Sequence, residues 1–441
     1  MPLVALGLSH RTAPVDVRER HAFAPSRMAE ALTALRDYES VREAAMLSTC
    51  GRLEIYAELD DYEAGVEQLK SFLQNFRHGD VMDLESYLYT RLGRDAIDHL
   101  FRVSTGLDSM LIGEAEILGQ VKEAYIQAQA AHSIGKTLHR LFQDAIHAGK
   151  AARSQTGIGK ESISIATAAI EMARQRLGTL EGKHVTVIGA GKMGRTAAKR
   201  LRGEGIAELR VVNRNPNRAR ALIGEGDGAE VLDLADLESA IARADVVVTS
   251  TGASHFIVTV DNVAAAMRRR LERPLFVVDI AVPRDADPKI AELPGVSLVD
   301  IDGLKDVVDS TLQARREAIP HVEEIIAEYA GRFDDWYRTR RAIPVIASLT
   351  RKAETIRKAE IERLFTRCPE LTERERMLIT GSSLSIISRL LHTVITRVRD
   401  RATDNDQSAS AARLLHELFD LEIEDRLLVA VDPSDGQEPA Q

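Results

Sequence analysis

Residues 184–194 read HVTVIGAGKMG: a short apolar strand, three glycines spaced G-x-G-x-x-G, and the start of a helix-forming stretch. No other feature constrains the fold as strongly. Gly189 permits a tight turn, Gly191 lets backbone approach a pyrophosphate, and Gly194 lets helix and strand pack closely. A helix opening near Lys192 points unpaired N–H groups at that phosphate. Further short apolar runs lie at 208–213, 245–250 and 275–280, with helical patterns between them. Such alternation predicts a parallel sheet covered by helices on both faces.

Ala190, Lys192 and Met193 complete the glycine turn, and Asn213 and Arg214 close the next strand. A site for NAD places an acid at that second point to bind the ribose hydroxyls. An arginine pairs instead with a 2′-phosphate, which favours NADPH. The alternative is that Arg214 is only a solvated helix-entry residue. The segments TSTGASH (249–255) and DIAVPRDADP (279–288) follow the third and fourth strands. Both fall at the carboxyl end of the sheet, where loops face the cofactor.

A chain of 441 residues exceeds one ordinary core. Upstream, LVALGLS (3–9), AAMLST (44–49) and LEIYAEL (53–59) read as strands, with helices around 28–38 and up to about 76. That β-α-β-β-α order suggests a small α+β sheet. Residues 94–153 turn helical, and a helical pattern returns from about 311 to 419. Within it Leu384, Ile387, Leu391, Val394 and Val398 keep 3,4,3,4 spacing. The stripe fits either a core helix of a monomeric bundle or a helix paired with a second chain. The tail VDPSDGQEPAQ has no apolar face, and disorder is expected there.

The net charge of −9 argues against a protein that coats nucleic acid, though not against a local basic face. The basic runs WYRTRR (336–341), MRRRLER (267–273) and TRVRDR (396–401) could make such a face, or be ordinary solvated helix surfaces. The N-terminus makes a poor signal peptide, no apolar stretch looks long enough for a membrane span, and the two cysteines frame neither a disulfide set nor a zinc site. A reduced, cytoplasmic location is expected, with no metal and no membrane.

One of those cysteines, Cys50, lies in MLSTCGRLEIY (46–56), where the chain bends between two strands. A packing cysteine prefers the middle of an element. Beside a nicotinamide domain, a turn-borne thiolate suggests attack on an activated acyl carbon, followed by reduction of the thioester to an aldehyde. Arg52 would supply a nearby positive charge, or clamp a substrate carboxylate. Cys368, in FTRCPEL, has no such surroundings.

The blocks GLSHRTAPVDVRE (7–19), STCGRLEIY (48–56), GLDSMLIGEAEILGQVKEAY (106–125), VIGAGKMG (187–194), DIAVPRDADP (279–288) and SRLLHTVITRVRD (388–400) together resemble the glutamyl-tRNA reductase family. The resemblance runs over nearly the whole chain. It implies a multidomain α/β protein: an N-terminal α+β catalytic domain that recognises glutamyl-tRNA (1–156), a Rossmann-type NADP-binding domain opened by a long connecting helix (157–308), a C-terminal all-helical dimerisation domain (309–425) and a disordered tail (426–441). It makes Cys50 the nucleophile that takes glutamate from glutamyl-tRNA as a thioester, which NADPH reduces to glutamate-1-semialdehyde, an early intermediate of tetrapyrrole synthesis. Thr49, Gly51, Arg52, Ser109, Glu114, Ala115, Glu116 and Gln120 fall where the family holds the glutamyl group. His99 matches a histidine important for activity, with His10 a second candidate for proton transfer. A homodimer, and hand-off of the aldehyde to an aminomutase, are further implications.

Gly51 departs from the family block, which reads Thr-Cys-Asn-Arg. Asn and Gly both tolerate left-handed backbone, so a positive φ is expected at Gly51. The cysteine and the cofactor come from different domains, so a closing motion is expected. Two other readings stay open. One is an NADP-dependent dehydrogenase of a small hydroxy or keto acid, of the shikimate dehydrogenase type. The other is a catalytically silent, tRNA-binding regulatory relative.

Overall fold

The computed structural model describes residues 2–76, 84–159, 164–223, 229–270, 273–304, 317–402 and 418–419. Four strands, β1 (Leu3–Ser9), β2 (Val41–Ser48), β3 (Arg52–Leu59) and β4 (Tyr89–Leu92), form the first sheet in the order β2-β3-β1-β4, with β1 antiparallel to both β3 and β4. Around it lie α1 (Val15–His21), α2 (Met28–Leu35), α3 (Tyr62–Asn75), α4 (Arg94–Thr105), α5 (Ile117–Ala130) and α6 (Lys136–Gln155). Leu3, Leu6, Leu8, Ile55 and Tyr56 bury against Phe101 and Phe142. Removing a large side chain of this kind from water stabilises by about 1.5–3 kcal/mol.

The second sheet is wholly parallel, in the order β10-β9-β8-β5-β6-β7. Its strands are β5 (His184–Ile188), β6 (Glu208–Val212), β7 (Glu230–Leu232), β8 (Val246–Thr249), β9 (Leu275–Asp279) and β10 (Val296–Val299). Helices α7 (Ile165–Leu177), α8 (Lys192–Leu201), α9 (Pro216–Ile223), α10 (Leu237–Arg243) and α11 (Val260–Arg268) connect or flank them. Val187, Val211, Val248 and Val278 pack towards α7 and α8, while Val247 and Val277 pack towards α10 and α11. Burial on both faces explains why these strands read as continuous apolar runs. β4, β7 and β10 are three or four residues long and were not evident from periodicity.

The chain ends in two long helices, α12 (Ile319–Arg367) and α13 (Glu373–Ala402). The first turns of α12 do not stand apart. Val322, Ile326, Ala330, Phe333 and Tyr337 belong to the core of the N-terminal sheet. In α13, Ile387, Leu391 and Val394 are half-buried, while Met377, Leu378, Leu384, Ile386 and Leu390 are exposed. Glu373–Arg397 is, by length and composition, apolar enough to cross a membrane, with mean hydropathy 1.4 in its best window. The expectation that no stretch reaches that level is corrected here. The side chain of Val398 and the tail 426–441 lie outside the described residues.

The two sheets share packing. Val15 of α1 and Leu111 are buried in the core of the parallel sheet, and Cys50 and Met110 pack against the same cluster.

Candidate active site

Cys50 sits on the β2–β3 connection, which the side chain of Thr49 builds. Thr49 Oγ1 accepts the N–H groups of Gly51 (3.1 Å) and Arg52 (3.2 Å). The Gly51 carbonyl accepts the His10 N–H at 2.8 Å. Gly51 does not take up left-handed backbone, contrary to expectation. The threonine hydroxyl shapes the turn, so no left-handed residue is needed. A Cβ on Gly51 would come no closer than 4.0 Å to His10 Nδ1 and Thr49 Oγ1.

A cavity of about 10 Å³ lies at the thiol, lined among others by Thr49, Arg52, Ser109, Glu114, Gln120 and Ile165. That is room for about one water. Ser109 Oγ and Glu114 Oε1 are buried there without a partner among the described residues. Ala115 and Glu116 do not line the cavity. Ala115 is exposed, and Glu116 pairs with Lys192 at 3.6 Å, across to the parallel sheet. Burial, then the charge of Glu116, pushes Glu114 up to about 7. Burial, then Glu114, pushes the Cys50 thiol up to about 12, with Arg18 opposing.

Arg52 is buried and already partnered. It donates to Glu54 Oε1 (2.6 Å) and to the Asp108 carboxylate (3.1 Å), whose other oxygen meets Arg11. Glu54 also accepts from Tyr56 (2.6 Å) and Tyr89 (2.5 Å), and His99 Nε2 lies 2.9 Å from it. Burial disfavours the Glu54 charge, but Arg52 and then His99 overcome it and hold the carboxyl well below the usual range. His99 therefore reaches the cavity only through Glu54 and Arg52. Sequence reading missed Glu54, Tyr89 and Asp108. It also missed Arg18, the cation that acts on the thiol, whose guanidinium donates to the Cys50 carbonyl.

On the parallel sheet, Gly189 has φ +104°, and a Cβ there would lie 2.7 Å from the Ser250 carbonyl. A Cβ on Gly194 would lie 2.1 Å from the Gly189 carbonyl. A Cβ on Gly191 would meet only the Ser250 carbonyl, at 3.9 Å, which leaves the room a closely approaching pyrophosphate needs. Ala190 is buried, Met193 packs on the core, and Lys192 begins α8 with Gly191 as its cap. Ser250 Oγ is buried without a partner close to Gly194. Beside the turn opens a cavity of about 330 Å³, lined by Asn213, Arg214, Asn215, Thr251, Gly252 and apolar side chains, with no acid among them. The residues fit a dinucleotide. Asp285 accepts both the N–H and the hydroxyl of Thr251, and Asp279 accepts from Thr249, Ala281 and Ala286. These two buried carboxylates fasten the loops after β8 and β9. Burial, with Thr249 opposing, pushes Asp279 up to about 7.

The basic runs are partly committed to structure. Arg338 pairs with Asp334 at 2.7 Å, and Arg340 donates to Thr137 at 2.6 Å. Arg270 is buried, holding the carbonyls of Ile241, Ala244 and Pro274. The side chain of Arg341, residues 271–272 and the side chains of 398–401 lie outside the described residues.

Three successive stretches of the chain match known families. Residues 6–156 match the family described as glutamyl-tRNAGlu reductase, N-terminal domain; 171–307 match shikimate/quinate 5-dehydrogenase; and 321–421 match the glutamyl-tRNAGlu reductase dimerisation domain. The glutamyl-tRNA reductase of Bacillus subtilis (strain 168) is 39% identical over 422 residues, 96% of this chain and 92% of that one. That of Geobacillus thermodenitrificans (strain NG80-2) is 40% identical over 422 residues, again 96% and 92%. The solved glutamyl-tRNA reductase of Methanopyrus kandleri is 30% identical, covering 95% of this chain and 98% of that one, with a TM-score of 0.53. The dimerisation match, which spans the exposed apolar side chains of α13, supports a homodimer. With all three regions matched in order and relatives aligned nearly end to end, the chain belongs to the glutamyl-tRNA reductase family.

Proposed function

We propose that the chain reduces glutamyl-tRNA(Glu) to glutamate-1-semialdehyde with NADPH, through a thioester on Cys50, and releases the tRNA. As a glutamyl-tRNA reductase it is an oxidoreductase of the tRNA-dependent first step of tetrapyrrole synthesis. The observation that carries the finer reading is the position of Cys50: its cavity holds two unpartnered buried polar atoms, and its thiol packs on the cofactor domain.

In this reading the Cys50 sulfur attacks the ester carbon. A C–S bond forms, the C–O bond to the terminal ribose breaks, and the thiol proton passes to the departing oxygen. Glu114 and Ser109 accept from the substrate ammonium, which satisfies their orphaned oxygens. Pairing Glu114 in this way also offsets the charge that, after burial, does most to hold the thiol up, so substrate binding favours the nucleophile. Arg52, kept cationic by Glu54, faces the side-chain carboxylate when Asp108 yields its place. A nicotinamide cofactor bound at the parallel sheet would supply the hydride equivalent that turns the thioester into the aldehyde and returns Cys50 as thiolate. The glycine turn would hold its pyrophosphate and Arg214 its 2′-phosphate. No acid lines that cavity, which supports NADPH over NADH.

The test is cofactor oxidation by purified protein given glutamyl-tRNA, uncharged tRNA or free glutamate. Oxidation of NADPH with glutamyl-tRNA alone, lost in Cys50→Ser, is expected. Oxidation with a small hydroxy acid instead would favour the dehydrogenase reading.

A further inference from the structure

Arg18 is 2% exposed, although it lies on a helix of seven residues. Each of its three nitrogens donates to backbone or to a counter-charge. Its Nε donates to the Ala13 carbonyl at 3.1 Å, one terminal nitrogen to the Cys50 carbonyl, and the other to the Asp302 carboxylate. The second oxygen of Asp302 accepts the Val15 N–H at 2.9 Å. Asp302 sits in the turn after β10, shaped by Asp300, whose carboxylate accepts the N–H groups of Asp302 (3.1 Å) and Gly303 (3.2 Å). One part-buried ion pair thus joins the backbone of the nucleophile to the exit of the cofactor sheet. A second bridge, Arg284 to Glu19 at 2.6 Å, ties the same helix to the loop after β9. Of these two bridges, the first alone reaches the Cys50 backbone.

Arg18 is not among the residues that line the thiol cavity, so it acts through the turn and not on the substrate. With this pair closed and Asp108 seated on Arg52, the empty cavity is only about 10 Å³, so the lining side chains must shift to hold a glutamyl group. We infer that Arg18 and Asp302 are positioning residues: a clasp that shuts the cofactor sheet onto the Cys50 turn and serves reduction of the acyl-cysteine, not its formation. The inference rests on the two-step reading above. Acyl transfer uses side chains of the N-terminal body and needs the clasp open. Reduction needs the donor carbon within about 3–3.5 Å of the thioester, and a displacement near 1 Å costs about a hundredfold.

Asp302→Asn keeps an acceptor for Val15 and removes the charge. In the cofactor-free variant, Cys50 is expected to react several-fold faster with iodoacetamide than in wild type. Transfer of labelled glutamate from glutamyl-tRNA to Cys50, measured without NADPH, should be unchanged or faster. With NADPH, the ratio of semialdehyde to hydrolysed glutamate should fall by about tenfold to a hundredfold. A merely structural role slows both half-reactions together, and that result would overturn the inference, as would an unchanged ratio or unchanged alkylation. Asp302→Glu should restore much of the ratio. If Asp302→Asn does not fold, Arg18→Lys, which keeps the cation but loses the fork, carries the same test. Absence of labelled Cys50 in wild type would instead remove the thioester reading itself, before any variant is compared.

Discussion

Replacing Glu114 by glutamine tests what keeps Cys50 protonated at rest. The thiol is raised from 9.0 to about 12, first by burial and then by Glu114, with Arg18 opposing and Glu116 adding. Three pH units mean about a thousandfold less thiolate, or about 4 kcal/mol. Iodoacetamide should therefore consume Cys50 about a thousandfold more slowly in native protein than in urea-unfolded chain near pH 8. Glu114 itself is held at about 7, so its charge appears around neutrality. Below that pH, wild type and Glu114→Gln both present a neutral side chain and should react alike. Above about pH 8 only the wild type carries the charge, and the variant should react about tenfold faster. Access to the cavity is common to both proteins, so their ratio isolates the charge. The assay follows loss of the Cys50 thiol by peptide mass spectrometry from about pH 6 to about pH 10, with Cys368 as reference in the same sample. A ratio that does not change with pH would refute the argument, even if the variant were faster throughout.

Arg214→Ala should raise the KM for NADPH about tenfold to a hundredfold, the worth of a charge-assisted pair of about 1.5–3 kcal/mol, and leave that for NADH unchanged; equal effects on both would sink the phosphate assignment. Gly51→Asn should alter stability by no more than about 0.5 kcal/mol in thermal unfolding, because the backbone is not left-handed and a Cβ has room; a large loss would show the turn to be tighter than described. Glu54→Gln should destabilise by about 3–5 kcal/mol at neutral pH, by leaving Arg52 buried beside a neutral side chain. Because the folded carboxyl lies well below 4.5, its contribution is present above that pH and lost as pH falls, so urea curves of variant and wild type should converge in acid.

The parts of this molecule legible in sequence are those specified locally. The glycine turn at 189–194 announces itself because each glycine answers a contact within the same strand–turn–helix unit or the adjacent strand end. Apolar strands β5, β6, β8 and β9 were legible for the same reason: two-sided burial leaves an unbroken apolar run. β4 and β7 were not, because their half-exposed residues, Tyr-Thr-Arg-Leu and Glu-Val-Leu, carry little apolar pattern. In the site, Cys50 stood out by its place on a bend. Arg18 did not, since VDVRERH reads as an ordinary surface helix and the partner that buries it is 284 residues away. Arg52 was read as a free cation; Glu54, two residues on, and Asp108, 56 residues on, occupy it. The positive φ expected at Gly51 failed because side-chain hydrogen bonding by Thr49 was left out of a purely backbone argument.

Helix α12 is 49 residues long, about 73 Å of helix at 1.5 Å per residue, with Pro344 in its interior. Its first turns are cemented into the N-terminal core, and its far end meets α13 in the region of self-association. Each nucleophile is therefore mounted on the same beam that carries the dimer contact. A movement of the cofactor sheet alone would leave the Cys50 sheet joined to that helix through Val322, Ile326, Phe333 and Tyr337.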